Sequence, residues 1–113
     1  MKVLSLEELI IERSKRCGVF SNPLRSFIAT FIAAKEEATW SELKTALERV
    51  GGPVNPNTLS FHITVLMSEG FVDRVDIRGQ PRYRISEKRS SEIETLIGKD
   101  VVERMRRELS HEK

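Results

Sequence analysis

Apolar residues recur along the chain at two spacings, and the change from one to the other divides it. After Asn22-Pro23, the residues Leu24, Phe27, Ile28, Phe31 and Ile32 recur at i, i+3, i+4, i+7 and i+8. That places them on one face of a helix. Asn22 supplies a cap and Pro23 a first-turn residue, so a helix over residues 23–36 is expected as the main core element. Earlier, Ser5 and Glu8 form an S-x-x-E capping box ahead of Leu6, Leu9 and Ile10, which predicts a helix over residues 5–16, ending before Gly18. Ala38-Thr39-Trp40 leans toward a very short strand. Ser41 or Thr39 then caps a third helix with Leu43, Ala46, Leu47 and Val50 inward. Gly51-Gly52-Pro53 ends it, and Asn55-Pro56 repeats the start signal for a fourth, which closes on Gly70. Two short helices joined by a glycine-containing turn make a helix-turn-helix arrangement.

Beyond Gly70 the period falls from 3.6 to 2. Phe71, Asp73, Val75 and Ile77 share one side of a strand, and Val72, Arg74, Asp76 and Arg78 the other. Gly79-Gln80-Pro81 reads as a turn, and Arg82-Tyr83-Arg84-Ile85 as the returning strand. The tail from Ser86 is helical, with Ile93, Leu96, Ile97, Val101, Met105 and Leu109. This stripe drifts around a helical wheel unless the helix breaks near Gly98, a choice the pattern leaves open. Apolar stripes at both ends of a small chain predict burial against a second subunit.

The fourth helix, residues 56–69, has an unusual outward face. Leu59, Ile63 and Leu66 fall inward with His62 on their flank. Asn57, Phe61, Thr64 and Ser68 fall opposite, flanked by Thr58, Ser60 and Val65. A solvated helix would be dressed in Lys and Glu. Small hydrogen-bonding side chains around one aromatic suit close approach to another surface, such as base edges in a DNA major groove. A partly buried core helix would explain the lack of charge equally well, so the neighbouring elements must decide.

Charge distribution bears on that choice. The net charge of +2 is only mildly basic, but over residues 78–89 five basic residues (Arg78, Arg82, Arg84, Lys88, Arg89) stand against Glu87. Positive charge on a hairpin edge discourages edge-to-edge pairing. Beside a helix-turn-helix it also suits phosphate or minor-groove contact. The chain has 113 residues, 39% hydrophobic and 32% charged, which predicts one globular domain over residues 1–113. Its expected parts are an N-terminal helix (1–20), a core (22–85) and a helical tail (86–113). No run is long enough to span a bilayer and no leader pattern opens the chain, so a cytoplasmic location without membrane contact is expected. Gln80 is the only glutamine and Asn22, Asn55 and Asn57 the only asparagines, a composition that hints at a thermophilic source. Cys17 stands alone, which excludes an internal disulfide and a cysteine-based zinc cluster. His62 and His111 have no acid or nucleophile partner visible in the sequence. Neither catalysis, nor a metal, nor a cofactor is expected, and His62 reads as a core-flanking histidine bonded to backbone.

The order of elements, and several short strings, resemble the ArsR/MarR-type transcriptional regulators. Thr39-Trp40-Ser41-Glu42-Leu43, then Asn57-Thr58-Leu59-Ser60-Phe61-His62-Ile63 with Val65-Leu66, then Glu69-Gly70-Phe71-Val72, are similar to that family's short strand, recognition helix and exit. Gly79-Gln80-Pro81-Arg82-Tyr83-Arg84-Ile85-Ser86-Glu87-Lys88 is similar to its wing. The resemblance covers roughly residues 22–89. It implies a mainly α fold with a small β-hairpin: a winged helix-turn-helix with dimerisation helices at both ends. The family's metal-sensing members carry a cysteine pair, or His and acidic ligands, that this chain lacks. Phe61 stands where many relatives place a basic or polar side chain.

The resemblance implies sequence-specific binding of double-stranded DNA by a homodimer. Asn57, Thr58, Ser60 and Thr64 would meet base edges or nearby phosphates, and Phe61 thymine methyls. Arg78, Gln80, Arg82 and Arg84 would lie on flanking backbone or in the minor groove. Arg25, in the first turn of the second helix, would hold a phosphate together with free N–H groups. The alternative is a protein-interaction module on the same fold, docking through the Phe61 face.

Overall fold

Helix starts follow the capping side chains. The computed structural model describes residues 5–14, 18 and 20–110, the side chains of 13 and 14 excepted. Helix α1 (Leu6–Ser14) opens on the reciprocal Ser5–Glu8 box, both bonds 3.1 Å. In α2 (Pro23–Lys35) Asn22 Oδ1 accepts from the N–H groups of Leu24 and Arg25 at 2.9 and 3.2 Å. Thr39, not Ser41, caps α3 (Trp40–Gly51): its hydroxyl accepts from Glu42 N–H at 3.1 Å, and Glu42 Oε1 accepts from Thr39 N–H at 2.9 Å. Asn55 caps α4 (Pro56–Ser68) through Asn57 N–H at 2.8 Å. Because Thr39 caps and Trp40 is already helical, the strand expected there shrinks to Ala38. That residue exchanges two backbone bonds with Tyr83, at 2.9 and 2.8 Å.

Strands β1 (Val72–Ile77) and β2 (Gln80–Ile85) pair antiparallel, Val72 opposite Ile85 and Ile77 opposite Gln80. The turn is therefore Arg78-Gly79, one residue earlier than Gly79-Gln80-Pro81, with Gln80 and Pro81 already in the strand. Both turn residues have positive φ, 53° and 78°, which matches strand twist across a two-residue loop. Val72 and Tyr83 are buried and Ile85 half-buried, so alternation puts Arg82 and Arg84 on the outward face beside Val75 and Ile77.

The core gathers on α2, where Ile28, Ala29 and Ile32 have no exposed surface. Its buried hydroxyls are satisfied locally, Ser26 donating to Phe20 C=O and Thr30 to Ser26 C=O. Leu43 and Leu47 come from α3, and Leu59, Ile63 and Leu66 from α4. Val50 departs from expectation: it is 45% exposed, at an open groove with Phe27, Phe31 and Met105. Helix α3 runs one residue past it to Gly51, and Gly52 (φ 80°) turns the chain out.

After β2 come a 3₁₀ turn (Glu87–Arg89), the short α5 (Ser90–Ile93), a π turn (Glu94–Gly98) and α6 (Lys99–Ser110). The wide π turn and Gly98 at φ 113° answer the drifting stripe: the α-helix is interrupted there, and Ile93, Ile97, Val101, Val102 and Met105 all stay buried. Arg106 ties α6 down by donating to the carbonyls of Ala34 and Ala33, at 3.3 and 3.4 Å, at the C-terminal end of α2. The stripes of the first and last helices thus enter the chain's own core, with Leu6 and Ile10 also buried. On these stripes Leu9, Leu96 and Leu109 are only partly buried, so the terminal helices keep some apolar surface outside the core. Ile11, 46% exposed on α1, is not part of the stripes.

Candidate nucleic-acid interface

Helix α4 carries no Asp, Glu, Lys or Arg between Pro56 and Ser68. Four of its side chains, Leu59, His62, Ile63 and Leu66, are buried, so the helix presents the rest to one side. Asn57, Thr58, Ser60, Phe61 and Thr64 are all exposed there, Phe61 to 58%. The expected site residues of this helix are therefore together on one face. Ser60 has one commitment, its oxygen accepting the indole N–H of Trp40 at 3.2 Å, which leaves its own O–H to donate elsewhere.

His62 links this face to the core. Its Nδ1 accepts from Arg25 Nε at 3.3 Å, which puts the ring proton of the neutral form on Nε2. The partner is thus a side chain 37 residues away and not the backbone. Burial, and then the positive charge of Arg25, hold the imidazole pKa below its ordinary value. The Phe61 and His62 rings meet edge to face, centroids 5.4 Å apart. Arg25 also differs from expectation. The Leu24 and Arg25 N–H groups are held by Asn22, and the guanidinium is committed to His62 through Nε. A phosphate there would meet an arginine already anchored to α4 and no open N–H pair from these two residues.

On the hairpin, the Ala38–Tyr83 bridge brings Glu37 beside the outward face of β2. Its carboxylate pairs with Arg82 at 3.5 Å and with Arg84 at 3.6 Å. Arg89 serves the fold: it pairs with Glu92, lies over the Phe71 ring at 4.0 Å and donates to Glu69 C=O. Arg78 is exposed at the tip, and Gln80 beside it is exposed as well. Among the described residues Arg78 has no acidic partner within salt-bridge distance. Five basic residues in the sequence thus reduce to a free tip, two arginines shared with Glu37, Lys88, and one structural arginine. Glu37 and Trp40 escaped sequence reasoning as members of this region, since only the fold brings them to Arg82, Arg84 and Ser60.

The described residues form no group of three or more His, Cys, Asp or Glu able to hold a metal. Cys17 and His111 lie outside the described residues. No described helix is long and apolar enough to cross a membrane.

The arrangement of α2, α3, α4 and hairpin has a counterpart among solved structures. The oxidized form of MarR from E. coli superposes with a TM-score of 0.59 over 91% of this chain and 73% of that one, at 17% identity. The fold is a winged helix-turn-helix. In this fold α3 and α4 are the helix-turn-helix and β1–β2 the wing. No family model matches the sequence, and no curated protein matches it.

Proposed function

We propose that the protein binds double-stranded DNA sequence-specifically, as a homodimer, and acts as a transcriptional regulator. The observation that carries this reading is the pairing of an uncharged, hydrogen-bonding α4 face with an arginine-bearing wing on the same fold. The two surfaces suit different parts of a duplex. Asn57, Thr58, Ser60 and Thr64 can exchange hydrogen bonds with base edges without the indiscriminate attraction of charge, while Arg78, Arg82 and Arg84, with Gln80, reach the backbone.

The two surfaces should fail differently. Arg78→Ala should weaken binding to every duplex and lower the slope of log K against log salt by about 0.9. Asn57→Ala or Thr64→Ala should cost about 1–3 kcal/mol on the preferred duplex and little on random DNA. A salt titration on a duplex enriched from a random pool and on a scrambled one checks this. Equal losses on both duplexes from both kinds of variant would remove base readout by α4. The exposure of Phe61 favours a second reading, protein docking through the same face. Enrichment of no duplex would leave that one standing.

A further inference from the structure

The chemistry of α4 restricts which bases it can read. In the major groove guanine presents two acceptors, N7 and O6, and its usual protein partner is the donor fork of Arg or the ammonium of Lys. Helix α4 has neither. Adenine presents an acceptor and a donor, N7 and N6, which match a carboxamide, and Asn57 is exposed in the first turn. Thymine presents O4 and a methyl group. Phe61 has no hydrogen-bonding atom, is 58% exposed, and stands among Asn57, Thr58, Ser60 and Thr64. The thymine methyl is the apolar feature of the groove that such a ring can cover. The ring is also seated: it meets His62 edge to face at 5.4 Å, and His62 is held by Arg25 of α2 at 3.3 Å. Phe61 is thus backed by a chain of contacts rooted in another helix.

From this we infer that α4 reads A·T base pairs, with Phe61 detecting thymine by its 5-methyl group and Arg25–His62 positioning the ring. This rests on the DNA-binding reading above and names its substrate: duplexes with A·T, not G·C, at the positions under α4.

The test uses the full chain and a duplex enriched from a random pool, with each thymine replaced in turn by deoxyuridine, which pairs identically but lacks the methyl. At one or more positions the wild type should lose about fourfold in affinity, the ~0.8 kcal/mol of one buried methyl group. Phe61→Ala, checked for folding by circular dichroism, should bind the thymine and uracil duplexes equally. Phe61→Leu should keep part of the difference, and His62→Ala should shrink it while Phe61 remains. Guanine enriched under α4, or thymine and uracil duplexes bound alike by wild type, would overturn the inference and leave DNA binding intact. Discrimination that survives Phe61→Ala would overturn the assignment to Phe61. A wild type that prefers no duplex would overturn this inference together with the DNA-binding reading.

Discussion

Replacing Glu37 by Gln should tighten DNA binding. Glu37 holds Arg82 and Arg84 at 3.5 and 3.6 Å, with the three side chains between 32% and 46% exposed. Two unit charges at that separation attract by roughly 1.2 kcal/mol in water. Side-chain entropy and salt reduce such exposed pairs to about 0.2–1 kcal/mol each. An arginine that goes to a phosphate must first leave this carboxylate, so the wild type gives up about 1 kcal/mol for the two together. Glutamine has the same shape and removes both the competition and a negative charge facing the duplex. Affinity for all duplexes should rise by about threefold to tenfold, since ~1.4 kcal/mol corresponds to a factor of ten. The slope of log K against log salt should steepen by up to about 0.9 for each arginine newly given to a phosphate. Thermal stability should fall only slightly, because exposed pairs contribute little. Fluorescence anisotropy from about 50 to about 200 mM salt, where backbone contacts are most visible, reads both quantities. Weaker binding to every duplex would show that Glu37 positions the arginines for DNA instead of competing with it. No change at all would take Arg82 and Arg84 out of the interface.

Three further outcomes follow from the geometry. The lowered pKa of His62 makes its contribution to stability fully present above about pH 6.5 and lost as pH falls through the folded-state value. The thermal midpoint of wild type should therefore drop as pH passes below about 6.5, and His62→Gln should flatten that part of the profile. Glu8, held low by hydrogen bonds from Ser5, and Glu42, where burial is outweighed by Lys35 and Thr39, lose theirs only below about pH 4.3, which separates the windows. Arg78→Asn at the wing tip should raise stability by up to about 1 kcal/mol, because asparagine tolerates the left-handed backbone there. The same variant should bind all DNA more weakly, the opposite sign checked by melting and titration together. Truncation after Arg89 should unfold the chain, since Ile93, Ile97, Val101, Val102 and Met105 go with it at about 1.5–3 kcal/mol each. That loss rivals the about 5–15 kcal/mol of a typical domain, and a folded truncated chain by circular dichroism would refute it.

What the sequence disclosed was local. Asn22, Asn55 and the Ser5–Glu8 box are legible as caps because donor and acceptor lie within three residues. The period of α2 is legible because large apolar residues at 24, 27, 28, 31 and 32 are separated by Arg25, Ser26, Ala29 and Thr30, even though most of that helix is buried. The outward side of α4 follows from the same geometry: Asn57, Thr58, Ser60, Phe61 and Thr64 are all exposed. Partners brought close by tertiary folding were not legible. Glu37 reaches Arg84 only because Ala38 pairs with Tyr83, and nothing in the string near Glu37 states that register. Arg25 looked open because His62 is 37 residues away. The wing turn was misplaced because Gly79-Gln80-Pro81 is a strong local signal, whereas pairing of Ile77 with Gln80 centres the loop on Arg78-Gly79. Val50 has the spacing of an inward residue, but α3 is near its end and the groove beside it is open.

The burial of Leu6, Ile10, Ile93, Ile97, Val101 and Met105 in the chain's own core bears on the proposed homodimer. The stripes hold one chain together, while Leu9, Leu96 and Leu109 on them stay partly exposed. A further reason lies in α4, on the DNA-binding reading proposed above. With 13 residues, α4 is about 20 Å long, and only the exposed side chains along it can meet bases. Each correct base pair is worth about 1–3 kcal/mol of discrimination, so the few pairs under one α4 give limited selectivity. Two copies on half-sites about one helical turn apart double the number of pairs read without any new contact chemistry. A surface joining them would draw on what the core leaves uncovered, such as the open groove lined by Phe27, Phe31 and Leu109. On the DNA-binding reading proposed above, sedimentation should show pairing strengthened on a two-half-site duplex, with one chain bound per half-site; a chain that stays monomeric on that duplex would refute the homodimer.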